Sequence, residues 1–154
     1  MKKQKGFSLI ELLIVVAIIL IIAAIAIPNL LKSRIAANEA SAVGTVRTLN
    51  TGQVTYNSSC QQYANGILEL NAGTVCAAGA NIIDATLATG TKSGYTFTVI
   101  APGTTAAGTI VTTFDVNADP ITANVTGFRH FFSNESLVIR VNPAGPATNA
   151  SAPL

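Results

Sequence analysis

The sequence predicts an α+β protein: one long N-terminal α-helix, hydrophobic in its first half, packs through its second half on a four-stranded antiparallel β-sheet. Two observations support this prediction. A continuous apolar run near the N-terminus gives way to an amphipathic helical pattern. The last third of the chain then carries short alternating segments that are typical of half-buried strands. A length of 154 residues suits one folded domain.

The composition is apolar and poor in charge. Hydrophobic residues make up 49% of the chain and charged residues only 10%, whereas soluble domains average about 25% charged residues. The net charge of +2 depends on Lys2, Lys3 and Lys5: without these three, six of the nine basic residues remain against seven acidic ones. No basic stripe with interleaved aromatic residues is present, so direct nucleic-acid binding has no support in the sequence.

The apolar run is long enough to span a membrane. Every residue from Leu12 to Ile27 is apolar, and counting from Phe7 extends the stretch to 21 residues. About 20 residues cross a bilayer as a helix. The lysines before the run place its N-terminus in the cytoplasm. A cleaved secretory signal would have a shorter apolar core, but hydropathy alone leaves a plain signal anchor open.

Two residues at the start of the run argue against a plain anchor. Glu11 is a carboxylate inside the apolar stretch, where a charge is costly. It is interpreted either as an acid at the membrane interface or as a carboxylate that awaits a cationic partner from another chain. Gly6 gives a small, flexible site in front of Phe7, which a protease at the membrane surface can bind in extended form.

The first 35 residues or so resemble the class III signal of type IV pilins and related pseudopilins. The resemblance rests on Gly6-Phe7-Ser8-Leu9-Ile10-Glu11 and the apolar run that follows. It implies that a prepilin peptidase removes residues 1–6 as a leader by cutting after Gly6, and that Phe7 is N-methylated. It also implies that Glu11 pairs with the N-terminal amine of a neighbouring subunit and so sets the register of assembly.

The resemblance also bears on Pro28. We predict a helix over residues 7–56, with 7–28 as the segment buried in the membrane or in a filament core, and a kink at Pro28. Members of the family commonly have a glycine eight residues before this proline. Here Leu20 occupies that position, which makes local loosening of the helix less expected because Gly is the poorer helix former.

The second half of the helix carries one apolar stripe. It is formed by Leu31, Ile35, Ala42, Val46 and Leu49. The polar Glu39 is placed on another face. Residues 57–94 are predicted to form a loop-rich connection.

The two cysteines, Cys60 and Cys76, both lie in this connection. We predict a Cys60–Cys76 disulfide, because an oxidising exterior favours one and such a loop gains about 3 kcal/mol. Two free thiols are the alternative.

Residues 95–141 are predicted to form the sheet. The four candidate strands are Tyr95–Ile100, Thr109–Asn117, Phe128–Phe132 and Leu137–Val141. Residues 133–136 are predicted to form a hairpin turn between the last two. Residues 142–154, with three prolines, are predicted to be a flexible tail.

No residues with catalytic spacing are found, so the chain is predicted not to be an enzyme. His130 is the only histidine, and it lacks a suitably spaced nucleophile. The acids Asp84, Asp115 and Asp119 are dispersed. We therefore expect no metal site and no cofactor. Major pseudopilins carry a calcium site in this region, and the sequence has no matching acid cluster there, which slightly favours a pilus subunit over a pseudopilin.

The resemblance implies a structural subunit of a type IV pilus: a precursor in the inner membrane with a cytoplasmic N-terminus, then an extracellular filament. The implied partners are other copies of the chain, prepilin peptidase, the inner-membrane assembly machinery, minor pilins, and membrane lipid before assembly. Two alternatives are a pseudopilin of a type II secretion system and a signal-anchored periplasmic protein. The sequence does not rank adhesion, motility and DNA uptake.

Overall fold

The computed structural model describes residues 7–72, 81–102 and 110–154. The chain divides into two compact units, Met1–Arg34 and Ile35–Leu154. Helix α1 runs from Leu9 to Cys60, so it begins two residues after and ends four residues after the predicted bounds. In the first unit it is the main described element. The second unit contains the rest of α1, two short helices and a sheet, and the α+β prediction is confirmed.

The apolar stripe of α1 begins at Ile35, because Leu31 is exposed. Ten buried residues of α1 face the interior of the second unit, and their spacing of three or four is that of one helix face. Four of these residues are Ala42, Val46, Leu49 and Tyr56, which belong to the main core.

The described part of the predicted connection contains two short helices. Helix α2 spans Ile67–Ala72 and helix α3 spans Ala85–Ala88. Asp84 caps α3, since its carboxylate accepts a 2.6 Å hydrogen bond from the backbone N–H of Leu87. Leu87 is buried in the core, so the cap fixes the point at which the connection packs on the sheet.

Within the described residues the sheet has six strands, two more than predicted. They are β1 (Thr91–Lys92), β2 (Tyr95–Ile100), β3 (Asp115–Pro120), β4 (His130–Asn134), β5 (Arg140–Asn142) and β6 (Ala152–Pro153). All neighbours are antiparallel, and the order along the sheet follows the order along the chain. The prediction for β2 is confirmed to the residue, whereas β3 begins later than the predicted second strand.

The tail over residues 142–154 was predicted to be flexible, but it is part of the fold. Ala152 pairs with Val141, and Pro153 pairs with Arg140 at the edge of the sheet. Proline is tolerated there because an edge strand leaves one row of N–H groups unpaired. Ala147 is buried, and the backbone N–H of Leu154 donates to the carbonyl of Ile139 at 2.8 Å.

The core lies between the sheet and the second half of α1. Its largest fully buried side chains include the aromatic rings of Tyr56, Tyr95, Phe97, Phe114 and Phe131. Tyr95 and Phe131 face each other from different strands with ring centroids 6.0 Å apart. Such aromatic pairs add to the burial energy of a core, and this pair links β2 to β4 across the intervening strand.

Candidate assembly segment

The first unit exposes a long apolar helical surface. Seventeen large apolar side chains between Phe7 and Leu31 are exposed. The segment is long and apolar enough to cross a membrane by length and composition, a test that a signal sequence also passes. A uniformly apolar surface cannot remain in water without a partner, so the segment needs either lipid or other protein around it.

The helix begins with the carboxylate half of a capping box, a contact that was not predicted from the sequence. The carboxylate of Glu11 accepts a 2.9 Å hydrogen bond from the backbone N–H of Ser8. The carbonyl of Ser8 accepts a bond from the N–H of Leu12. The Ser-x-x-Glu spacing is the signal that predicts this arrangement. Glu11 therefore has a local partner at the helix start within a single chain.

The remaining N-terminal residues singled out from the sequence are distributed as follows. Gly6 lies outside the described residues. Phe7 is described and strongly exposed. Pro28 lies within α1, and helical structure continues on both sides of it. The predicted roles of these residues in cleavage, methylation and bending stay predictions.

Glu39 joins the helix to the sheet, although the sequence analysis placed it off the buried face. It is 6% exposed. One carboxylate oxygen accepts hydrogen bonds from the backbone N–H groups of Phe128 and Arg129 at 2.9 and 3.1 Å, and the other accepts one from the Arg129 guanidinium at 2.8 Å. Burial raises the pKa of Glu39, but the bonds from Phe128 and Arg129 and the charge of Arg129 outweigh it and lower the pKa.

Two further contacts hold neighbouring loops to the same region of the helix. The Asn38 amide donates to the carbonyl of Thr126 at 2.9 Å. The Ser41 hydroxyl donates to the hydroxyl of Ser93 at 3.0 Å. Together with the Glu39 contacts, these bonds fix the connection between β3 and β4 and the turn between β1 and β2 on one side of α1.

The other titratable side chains do not form a catalytic or metal centre among the described residues. His130 contacts Asp119, with 2.5 Å between its Nδ1 atom and a carboxylate oxygen. Burial, together with the charge of Glu135, raises the pKa of Asp115. No group of three or more potential metal ligands occurs in residues 7–72, 81–102 and 110–154.

Cys60 ends helix α1 and packs, half-buried, against the core. Cys76 lies outside the described residues. The disulfide between them stays a prediction.

The comparisons with known proteins point to the N-terminal segment. Residues 1–27 match the family described as "Prokaryotic N-terminal methylation motif". The chain is similar to the "Type IV major pilin protein PilA" of Myxococcus xanthus, with 43% identity over 63 residues, or 41% of this chain and 29% of that protein. It is also similar to the "Type IV wide pilus major component PilA4" of Thermus thermophilus, with 64% identity over 39 residues, or 25% of this chain and 30% of that protein.

The aligned part spans about 30% of the length of these two curated relatives. No solved structure matches the chain. The family match over residues 1–27 bears directly on the exposed apolar helix and the residues in front of it.

Proposed function

We propose that this chain is a type IV pilin, a structural subunit that assembles with other copies of itself into a helical filament. The observation that carries the proposal is the exposed apolar segment of α1, which bears the methylation motif and precedes a separately packed unit. In this proposal the precursor is held in the inner membrane, prepilin peptidase cuts between Gly6 and Phe7, and Phe7 is N-methylated. The assembly machinery then adds the subunit to a filament outside the cell.

Burial of the apolar surface stabilises the chain both in the membrane and in the filament. Full burial of a large aliphatic side chain is worth about 1.5–3 kcal/mol, so seventeen such side chains amount to tens of kcal/mol. Lipid satisfies this surface before assembly, and the same surfaces of neighbouring subunits satisfy it afterwards. Transfer from lipid to a bundle of helices costs little in burial, so specific contacts must determine how the subunits are arranged.

Glu11 is the residue we propose for that arrangement. A free amine and a carboxylate in an apolar bundle are each costly alone and stabilised when paired. Cleavage after Gly6 creates such an amine at Phe7, and a neighbouring subunit's Glu11 is its proposed partner. To pair, Glu11 exchanges its local bond to the Ser8 N–H for a bond to a charged group.

The capping box separates the two roles of Glu11 experimentally. Both Glu11→Ala and Glu11→Gln are expected to reduce sheared surface filaments at least about tenfold, because each removes the charge that offsets the buried amine. Glutamine still accepts the Ser8 N–H bond, so Glu11→Gln keeps the helix start. The measurement is the ratio of filament to membrane-bound subunit on immunoblots. Filaments at the wild-type level in Glu11→Gln would show that capping suffices and that the charge has no role in assembly.

The proposal as a whole is tested by mass spectrometry of material sheared from the cell surface. The expected result is an N-terminal peptide that begins at N-methylated Phe7, which would report cleavage, export and polymerisation together. An intact chain from Met1 confined to membranes would contradict the proposal and leave a signal anchor. Processed chain found only in membranes would indicate a secretion pseudopilin.

A further inference from the structure

The connection between β3 and β4 exposes three large apolar side chains. Ile121, Val125 and Phe128 are 56%, 53% and 48% exposed; we call these three residues the loop patch. Single exposed apolar residues are normal on protein surfaces. Three within eight consecutive residues of one loop are a concentration that a binding partner explains better than chance.

The loop that carries the patch is preformed. The backbone N–H groups of Val125 and Thr126 donate to the carbonyl of Thr122 at 3.2 and 2.9 Å, and the N–H of Asn124 donates to the carbonyl of Gly127 at 2.9 Å. The Thr126 hydroxyl bonds to the backbone of Thr122 in both directions. These bonds hold the patch residues on one compact loop without help from a partner.

The loop is attached to α1 close in sequence to the apolar segment. Its contacts with the helix are made by Asn38 and Glu39, and Leu31 precedes Asn38 by only seven residues. Seven residues span about 10 Å as a helix and at most about 25 Å when fully extended. If residues 7–28 span a membrane, the patch is tethered near the membrane surface.

Basic side chains of the helix after the apolar segment, and one on the loop itself, suit anionic lipid headgroups. Lys32 and Arg34 are exposed between the apolar segment and Asn38. The guanidinium of Arg129, directly after Phe128, is 43% exposed. Two acids close to the loop are already paired: Glu39 of α1 with Arg129, and Asp119 of β3 with His130. An apolar loop that carries a partly exposed guanidinium, on a chain with two exposed basic residues after its apolar helix segment, has the composition of surfaces that lie in a membrane interface.

We propose that the loop patch rests in the lipid interface of the membrane that anchors the unassembled subunit. Ile121, Val125 and Phe128 enter the boundary between headgroups and acyl chains, while Lys32 and Arg34 contact headgroup phosphates. The contact orients the folded unit on the membrane before it is taken into a filament. This inference rests on the proposed function, because it requires the N-terminal helix to span the bilayer.

The chain offers a clean fluorescent reporter because it contains no tryptophan. The full chain carrying Phe128→Trp is reconstituted in vesicles of phosphatidylethanolamine and phosphatidylglycerol that are brominated either near the headgroups or near the acyl-chain ends. We expect shallow bromines to quench its emission about twofold and deep bromines to have little effect, since interfacial groups enter only about 5–10 Å. Val125→Trp is a second reporter in case Phe128→Trp disturbs the loop, and it should behave alike.

Two matched reporters decide how a negative result is interpreted. Ile100→Trp replaces an equally exposed residue (50%) at the end of β2 that lies away from the loop. Its emission should not change with bromines at either depth. Ile18→Trp lies within the apolar segment and should be quenched by deep bromines. Quenching of Ile18→Trp without quenching of Phe128→Trp and Val125→Trp would overturn the loop-patch proposal alone. Unquenched Ile18→Trp would overturn membrane anchoring itself.

Filaments provide one further discriminating measurement. If the patch reporters are solvent-exposed in vesicles but shielded in sheared filaments, a second copy of the chain covers the patch, and the lipid contact is wrong. If they are quenched at shallow depth in vesicles while Ile100→Trp is not, the lipid contact stands whatever the filament shows.

Discussion

A Glu39→Ala variant is expected to lose about 3 kcal/mol of unfolding free energy, since two backbone N–H groups lose a buried acceptor at about 1–3 kcal/mol each. The partners are Phe128 and Arg129, whose N–H groups lie 2.9 and 3.1 Å from the same carboxylate oxygen. The ion pair adds little beyond this, because the Arg129 guanidinium is partly exposed and screened by water. Urea unfolding of the full chain in detergent, followed by tyrosine fluorescence, measures the change.

Glu39→Gln is the matched control. Its amide oxygen still accepts the two backbone bonds, so we expect a smaller loss of about 1 kcal/mol for the exchange of a charged acceptor for a neutral one. Hydrogen exchange at the amides of Phe128 and Arg129 should rise strongly in Glu39→Ala and slightly in Glu39→Gln. Equal stability of Glu39→Ala and the wild type would show that the loop is not held by this carboxylate.

The difference in unfolding free energy between the wild type and Glu39→Gln is expected to depend on pH with a definite sign. The pKa of Glu39 is lowered in the folded state from an ordinary value of 4.5. A lowered pKa contributes stability above the unfolded-state pKa, and this contribution is lost as the pH falls through the folded-state pKa. The stability difference between wild type and Glu39→Gln should therefore be constant above about pH 5.5 and shrink below 4.5. A constant difference down to pH 3 would contradict the role of ionised Glu39.

Glu39 also shows where sequence reasoning fails. A charged residue in an amphipathic helix is normally assigned to the solvent face, and nothing near Glu39 in the sequence suggests otherwise. Its partners, Phe128 and Arg129, follow about ninety residues later. The apolar members of the stripe, such as Val46 and Leu49, were predictable because their spacing alone encodes a buried helix face. Long-range polar contacts have no such local signature.

Strands β1 and β6 were not predicted, and the physical reason differs between them. β1 is only two residues long, but Ser93 and Gly94 both have positive φ (49° and 77°) in the turn to β2. That turn had a detectable signal in the Ser-Gly dipeptide. β6 has no alternating pattern and contains Pro153, so its pairing with β5 arises only from the tertiary fold.

The predicted strand over residues 109–117 was shifted for another reason. Val111 and Phe114 are buried, and these apolar residues suggested a strand. They instead pack from an irregular segment, where the carbonyl of Val111 accepts a 2.9 Å bond from the N–H of Tyr63. The regular ladder begins only at Asp115. Hydrophobicity predicted the burial correctly, but it did not predict the backbone partner.

The candidate site likewise has a part that could be predicted from the sequence and a part that could not. The exposed apolar segment and the residues Gly6, Phe7 and Glu11 were recognisable because their signal is contiguous in the sequence. The capping box at Ser8 was equally readable from its spacing. The loop patch was not, because its meaning depends on the contacts of Asn38 and Glu39 with a loop that lies far away in the sequence.

The loop between β3 and β4 also requires a glycine for space, and Gly127→Ala is expected to destabilise the fold by about 3 kcal/mol or more, as overpacking in a tight core does. A Cβ atom at this position would lie 2.6 Å from Cζ and 2.8 Å from Cε2 of Tyr95, and closer still to its hydroxyl oxygen. Tyr95 is fully buried, and its hydroxyl donates to the carbonyl of Arg129 at 2.8 Å. The ring therefore cannot move away without losing that bond and its packing.

Gly44→Ala is the matched control, because a Cβ there meets nothing within 4 Å. It should stabilise the helix by up to about 1 kcal/mol through propensity. Adding Tyr95→Phe to Gly127→Ala should recover only about 1 kcal/mol of the loss, since the two ring carbons still clash after the hydroxyl is removed. Urea midpoints of these three variants and of the wild type measure these differences. A Gly127→Ala variant as stable as wild type would mean that the loop shifts freely, and the Asn38 and Glu39 contacts would then not hold the loop patch in place.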